Sequence, residues 1–191
     1  MILGAILAGG QSRRFGSDKA FADLGGQPMI ARVADALGPF VDGLVVCGHR
    51  APPPGMKSVA DVPRTELGPL GGLAGALHYA QRHHYAGVLS VGCDTPILHP
   101  DLLSRLGKSE RATFVTDAPI IGYWPADLFD ALIAHLATDP RRSMRGWIAA
   151  IGAVPIALPR PIPNVNTPED LARLVLLRQE GVPRYPHPRS G

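Results

Sequence analysis

The chain is poor in the residues that mark several large protein classes. Among its 191 residues are only two cysteines, Cys47 and Cys93, which excludes a disulfide framework; two buried, reduced thiols are expected. Aromatics make up 6%, and no run of Lys or Arg is interleaved with them, so a nucleic-acid-binding surface is not expected. No apolar run approaches the length of a membrane span, and no basic stretch precedes the apolar start Met1–Leu7, so neither a membrane segment nor a signal peptide is expected. A cytoplasmic protein follows as the expectation. Charge is sparse too: 18% of residues are charged and the net charge is a modest +3, a balance better suited to a small anion than to a polyanionic polymer.

What remains is a 46% hydrophobic chain of one-domain size, long enough to bury a full core. Short apolar runs alternate with helical patterns. Strands are predicted at Met1–Leu7, Leu44–Cys47, Ser58–Ala60, Val88–Gly92, Thr113–Thr116, Ile120–Trp124 and Val154–Ala157. Helices are predicted at Met29–Leu37, Leu70–Arg82, Asp101–Leu106, Ala126–Ala137, Ser143–Ile151 and Pro168–Gln179. The last has Thr167 as cap, Pro168 at its first position and Glu169-Asp170 in its first turn. The alternation predicts an α/β fold: a three-layer, mostly parallel, Rossmann-like sheet covering residues 1–180, with 181–191 as a Pro/Arg-rich tail. Such sheets bind ligands at the carboxyl ends of their strands.

Five stretches carry candidate chemistry. The first strand runs into Leu7-Ala8-Gly9-Gly10-Gln11-Ser12-Arg13-Arg14-Phe15-Gly16-Ser17-Asp18-Lys19-Ala20, where three glycines and three cations share one loop. Glycines let a backbone approach a ligand and aim successive N–H groups at it, and the cations add fixed positive charge. That combination suits a polyphosphate, although the spacing is neither that of a P-loop nor that of a dinucleotide fingerprint. Asp94 follows an apolar strand in Val91-Gly92-Cys93-Asp94-Thr95-Pro96, where a carboxylate facing the phosphate loop suits Mg²⁺. The competing reading is a turn-capping aspartate. Asp61 precedes a glycine-rich helix start, Gly68-Pro69-Leu70-Gly71-Gly72-Leu73. Asn164 and Asn166 flank Val165 ahead of the Thr167 cap, and Arg141-Arg142-Ser143 with Arg145 forms a second basic cluster.

The opening Leu-Ala-Gly-Gly-x-Ser-x-Arg-x-Gly-x-Asp-Lys-Ala run closely resembles the first motif of sugar-nucleotide and cofactor nucleotidyltransferases. Its Gly-Gly and Asp-Lys-Ala details look most like the molybdenum cofactor guanylyltransferase family, with Phe15 where a methionine is usual. Cys-Asp-Thr-Pro resembles that family's metal-binding motif, and Asn-x-Asn-Thr-Pro-Glu-Asp-Leu its motif near the acceptor phosphate. The resemblance runs from about Met1 to Gln179.

It implies a nucleotide-diphospho-sugar-transferase-like fold and the transfer of GMP from GTP to molybdopterin. By it, Arg14, Lys19 and Asp94 are catalytic, and Asp94 binds Mg²⁺. Leu7, Ala8, Gly9, Gly10, Lys19, Asp61, Gly68 and Asp94 bind the nucleotide, while Asn164, Asn166 and Arg142 bind the acceptor. Transient contacts with proteins that deliver or accept the cofactor are implied as well.

Two departures stand out. Family members usually carry an asparagine or similar polar residue after the second strand, where Val46-Cys47-Gly48-His49 offers only His49, and the link Thr116–Ile120 is shorter than the family's polar hairpin near the acceptor. A cytidylyltransferase, a nucleotidyltransferase for another phosphate, and a non-catalytic nucleotide-binding module are the competing readings. Retention of both Lys19 and Asp94 speaks against the last.

Overall fold

The computed structural model describes residues 1–8, 22–24, 26–48, 52, 56–65, 67–165, 167, 169 and 170. The strands are β1 (Ile2–Leu7), β2 (Gly43–Cys47), β3 (Lys57–Val59), β4 (Gly87–Gly92), β5 (Thr113–Val115), β6 (Ala118–Pro125) and β7 (Val154–Ile156). The helices are α1 (Met29–Leu37), α2 (Pro69–Arg82), α3 (Pro100–Gly107), α4 (Phe129–Thr138) and α5 (Met144–Ile151).

The strands form one seven-stranded sheet in the order β3-β2-β1-β4-β6-β5-β7. β6 runs antiparallel to its neighbours β4 and β5, and the remaining pairs are parallel. The predicted three-layer, mostly parallel sheet is therefore what the chain adopts.

Alternation along the strands divides the core between two faces. Leu3, Ala5 and Leu7 of β1, Val45 and Cys47 of β2, and Trp124 of β6 pack with Leu70, Leu73 and Leu77 of α2 and with Trp147 of α5. Ile6, Val46, Leu89, Val91 and Ile121 point the other way, onto α1 and α3.

Local signals explain the helices. In α1 the buried Met29, Ile30, Val33, Ala34 and Leu37 form one stripe at helical spacing. Ser143 caps α5 by accepting from the Gly146 N–H at 3.0 Å, and Gly152 ends it in the left-handed conformation at φ +60°. Helix α3 starts at Pro100, with the His99 side chain accepting from the Asp101 N–H.

Several boundaries differ from expectation. β6 begins at Ala118, so the Thr116–Ile120 link is only the turn Thr116-Asp117. Ala118 pairs with Val115, and the Thr116 N–H and hydroxyl both donate to the Ile156 carbonyl, at 3.0 and 3.2 Å. The predicted helix from Ala126 opens as a 3₁₀ turn, Ala126–Leu128, before α4, and Ser143 is a cap rather than a helical residue. Cys47 is buried as expected, but Cys93 is only half-buried because it lies in the turn beyond β4. At the chain's far end the Thr167 hydroxyl accepts from the Asp170 N–H while the Asp170 carboxylate accepts from the Thr167 N–H, at 3.1 and 3.0 Å. This reciprocal cap is the predicted helix start; residues 171–191, the predicted tail included, lie outside the described residues.

Candidate functional site

The carboxyl edge of the parallel strands collects the predicted residues. Leu7 stands in register with Cys47 on one side and Gly92 on the other. The ladder continues one residue further, with the Ala8 N–H donating to Cys47 O at 2.9 Å and the Cys93 N–H to Leu7 O at 3.3 Å. Leu7 and Ala8 are thus fixed where the glycine-rich run departs. Gly9, Gly10, Arg14 and Lys19 of that run, and His49, lie outside the described residues.

Asp61 sits after β3 against the start of α2, and the helix glycines explain how. A side chain at Gly71 would bring its Cβ within 3.2 Å of Asp61 Oδ2; at Gly72 it would stand 3.2 Å from Cys47 Cβ and 3.4 Å from Leu7 Cδ2. At Gly75 it would collide with the Ala60 carbonyl oxygen. Their absence lets α2 press onto the ends of β1 and β2, and the Val62 N–H donates to Gly71 O at 3.1 Å to hold the contact.

Gly68 precedes the helix at φ +64°, a conformation that disfavours any side chain. Asp61 Oδ1 is buried with no hydrogen-bond partner among the described residues. Burial pushes the Asp61 carboxyl above its usual value. Burial also pushes the Cys47 thiol far up, and the adjoining Asp61 carboxylate adds to it. A buried, unpartnered acceptor of this kind suits a ligand bearing N–H or O–H donors.

Asp94 lies on the turn after β4. The Thr95 N–H and hydroxyl both donate to Gly92 O, at 3.3 and 2.8 Å, and a side chain at Gly92 would run into Asp94 Oδ1. The Val165 N–H donates to the Asp94 carbonyl at 2.9 Å. Asn164 is therefore brought beside Asp94 on an exposed stretch, while Val165 is buried with Leu24, Met29 and Ile97. Asn166 lies outside the described residues.

Arg142 arrives from another layer. α4 follows the antiparallel β6 and α5 precedes the parallel β7, so the turn between the helices stands at the carboxyl edge. Arg142 occupies that turn at φ +46°, and its Nε is buried without a hydrogen-bond partner among the described residues. His83 and His84 close α2 at the opposite edge of the sheet, away from the candidate site.

Sequence reasoning passed over Gly92 and Val165. An apolar residue between two asparagines was the available signal for Val165, but its partners are distant in the chain.

No group of three or more His, Cys, Asp or Glu side chains suited to a metal occurs among the described residues. No helix there is long and apolar enough to cross a membrane.

The MobA-like NTP transferase domain matches residues 4–154. The chain belongs to that family. It is 38% identical to a molybdenum cofactor guanylyltransferase of Rhodobacter capsulatus over 90% of this chain and 94% of that one. It is 37% identical to one of Cereibacter sphaeroides over 94% and 98%. Among solved structures, molybdopterin-guanine dinucleotide biosynthesis protein A of Archaeoglobus fulgidus superposes with a TM-score of 0.74 at 20% identity, covering 94% of this chain and all of that one. A nucleotidyl transferase from Methanothermobacter gives 0.73 at 19%, covering 94% and 99%. The matched domain covers most of the chain, and Asp61, Asp94 and Asn164 lie along a single edge of its sheet among the described residues.

Proposed function

We propose that this chain is a guanylyltransferase that transfers GMP from GTP to the phosphate of molybdopterin and releases pyrophosphate. The observation that carries the reading is the Val165–Asp94 main-chain bond. It ties the main chain of Asp94, in the turn beyond β4 on the nucleotide side, to the segment carrying Asn164 on the acceptor side. The names of the relatives from Rhodobacter and Cereibacter support the donor and acceptor chosen.

In this reading the glycine-rich run, with Arg14 and Lys19, holds the triphosphate. Asp61 accepts donor groups of the nucleoside, since its buried Oδ1 lacks a partner among the described residues. Asn164, Asn166 and Arg142 orient the acceptor phosphate. An oxygen of that phosphate attacks the α-phosphorus of GTP as the bond to pyrophosphate breaks. A phosphate monoester is already anionic near neutral pH, its second pKa being about 6 by analogy with phosphorylated side chains, so no general base is required. Positioning and charge neutralisation carry the rate.

The donor set fits Mg²⁺. Asp94 offers a hard oxygen at the strand end, and a metal held by one carboxylate completes its shell with substrate phosphates and water. Mg²⁺ there would neutralise charge developing on the departing pyrophosphate. Cys47 and Cys93 form no disulfide, which suits a reducing compartment, and the cytoplasm is the proposed location.

Thermal shift with GTP, CTP, ATP and UTP in the presence of Mg²⁺ tests the reading. A ligand at a hundredfold excess over its dissociation constant stabilises by about 2.7 kcal/mol, so GTP should raise the melting temperature most. Stabilisation by CTP alone would overturn the guanylyl assignment.

A further inference from the structure

We infer that Val165 is a positioning residue for Asp94, acting through its main-chain N–H; the inference rests on Asp94 being the metal-side carboxylate of the proposed reaction. The Thr95 bonds to Gly92 O close the turn internally, and the Cys93 N–H to Leu7 O bond at 3.3 Å ties its start to β1. The Val165 N–H to Asp94 O bond at 2.9 Å ties Asp94 itself to the segment returning from β7.

Its geometry is enforced from both sides. The Val165 side chain, 0% exposed, is clamped by Leu24 and Met29, with Ile97 packed alongside. Leu24 and Met29 belong to a hairpin closed by Met29 N–H to Ala22 O and Leu24 N–H to Gln27 O, both at 2.9 Å. That hairpin is the first described structure after the glycine-rich run. On the other side the chain leaves β7 at Ile156, whose carbonyl is held by Thr116. It then crosses the edge of the closing strands through Pro159, Pro161 and Pro163. Alternate prolines restrict φ and stiffen the crossing, so the position of β7 is passed on to Val165. One buried valine thus links the exit of the phosphate run, the metal-side carboxylate and the acceptor-side strap.

Three substitutions separate the parts. Val165→Ala keeps the N–H and loses the anchor; Val165→Pro keeps apolar volume and loses the N–H; Val165→Ile keeps both. Outer contacts of metal ligands are worth about 10–100-fold in metal affinity or activity. Val165→Ala and Val165→Pro should therefore raise the Mg²⁺ concentration for half-maximal pyrophosphate release at least tenfold. They should lower kcat more than they raise KM for GTP, and Val165→Ile should restore both.

Mn²⁺ affinity in the complex with a non-hydrolysable GTP analogue, read by electron paramagnetic resonance, should weaken in parallel. Leu106→Ala, a buried truncation on the α1/α3 face, should lower the melting temperature without moving the metal titration. A folded Val165→Pro chain with parental Mg²⁺ half-saturation and Mn²⁺ affinity overturns the inference; if that chain does not fold, the same result in Val165→Ala does. A parent chain lacking metal-dependent GTP turnover overturns the proposed function, and this role with it.

Discussion

The β3-β2-β1-β4 half of the sheet and the β6-β5-β7 half solve the same problem differently. In the first, every strand pair is parallel, and the strands end level with one another at Leu7, Cys47, Val59 and Gly92. Precision there comes from close backbone approach: Gly71, Gly72 and Gly75 let α2 settle onto Asp61, Cys47 and Ala60. In the second, β6 reverses the direction, a two-residue turn closes β5 onto it, and the edge is crossed by a proline-bearing strap. Precision there comes from tethering at the strap's two ends, Ile156 and Val165. The first half presents a buried carboxylate oxygen and the second the exposed Asn164. Packed glycines hold the backbones close and leave no room for a side chain; a tethered strap leaves its exposed residues free to vary. Under the proposed function, nucleotide and acceptor recognition should therefore differ in their tolerance to mutation.

Asp94 lies on the seam, and its removal should have the largest effect. Asp94→Ala is expected to lower pyrophosphate release by about 10³-fold, through loss of the metal that would neutralise transition-state charge, with a near-parental melting temperature. Retained Mg²⁺-dependent turnover would remove Asp94 from the metal site.

Within the parallel half, Gly75→Ala drives a methyl into the Ala60 carbonyl. A loss of about 1–3 kcal/mol in urea denaturation is expected, and an unchanged midpoint would show that the glycine contacts are not what positions α2. Within the closing half, Asn164→Ala should raise the acceptor KM about tenfold, equivalent to 1.4 kcal/mol, and leave the GTP KM unaltered. Its stability should stay within about 0.5 kcal/mol of the parent, because the side chain is exposed. Equal effects on both KM values would dissolve the division between the halves.

The smallest effect concerns pH. Burial raises the Asp61 carboxyl from 3.8, so the folded chain binds this proton more tightly than the unfolded chain. That advantage is full below the unfolded value and is lost as pH rises through the folded one. Asp61→Asn should accordingly melt higher than the parent at neutral pH, with the gap closing as pH falls toward the unfolded value near 3.8. A lower melting temperature at neutral pH would mean that the Asp61 charge is favourably partnered.

The parallel half was the more legible in sequence, because its cues are local. Apolar runs ending in Cys47 and Gly92 and the Gly68-Pro69 helix start all involve neighbours in the chain, as does the Thr167–Asp170 cap beyond β7. The start of β6 was harder to read, since Ala118-Pro119 looks like a turn. A proline costs a strand one N–H, yet pairing of Ala118 with Val115 and the register shift at Phe114/Val115 accommodate it. Val165 was invisible as a positioning residue because its partners, Asp94, Leu24 and Met29, come from distant parts of the chain. Cys93 differed from expectation for a related reason: one residue beyond β4 the chain has already begun to turn out of the core.

By itself, then, the sequence determined the α/β class, the strands of the parallel half and the residue types offered at their ends. Hydrophobic period, glycine placement and capping act over a few residues and can be read in order. Only the tertiary structure decided which ends meet: that α2 presses onto Asp61, that β6 reverses, and that the strap returns from β7 to hold Asp94 through Val165. Those contacts form when packing brings remote segments together, and no local pattern records them.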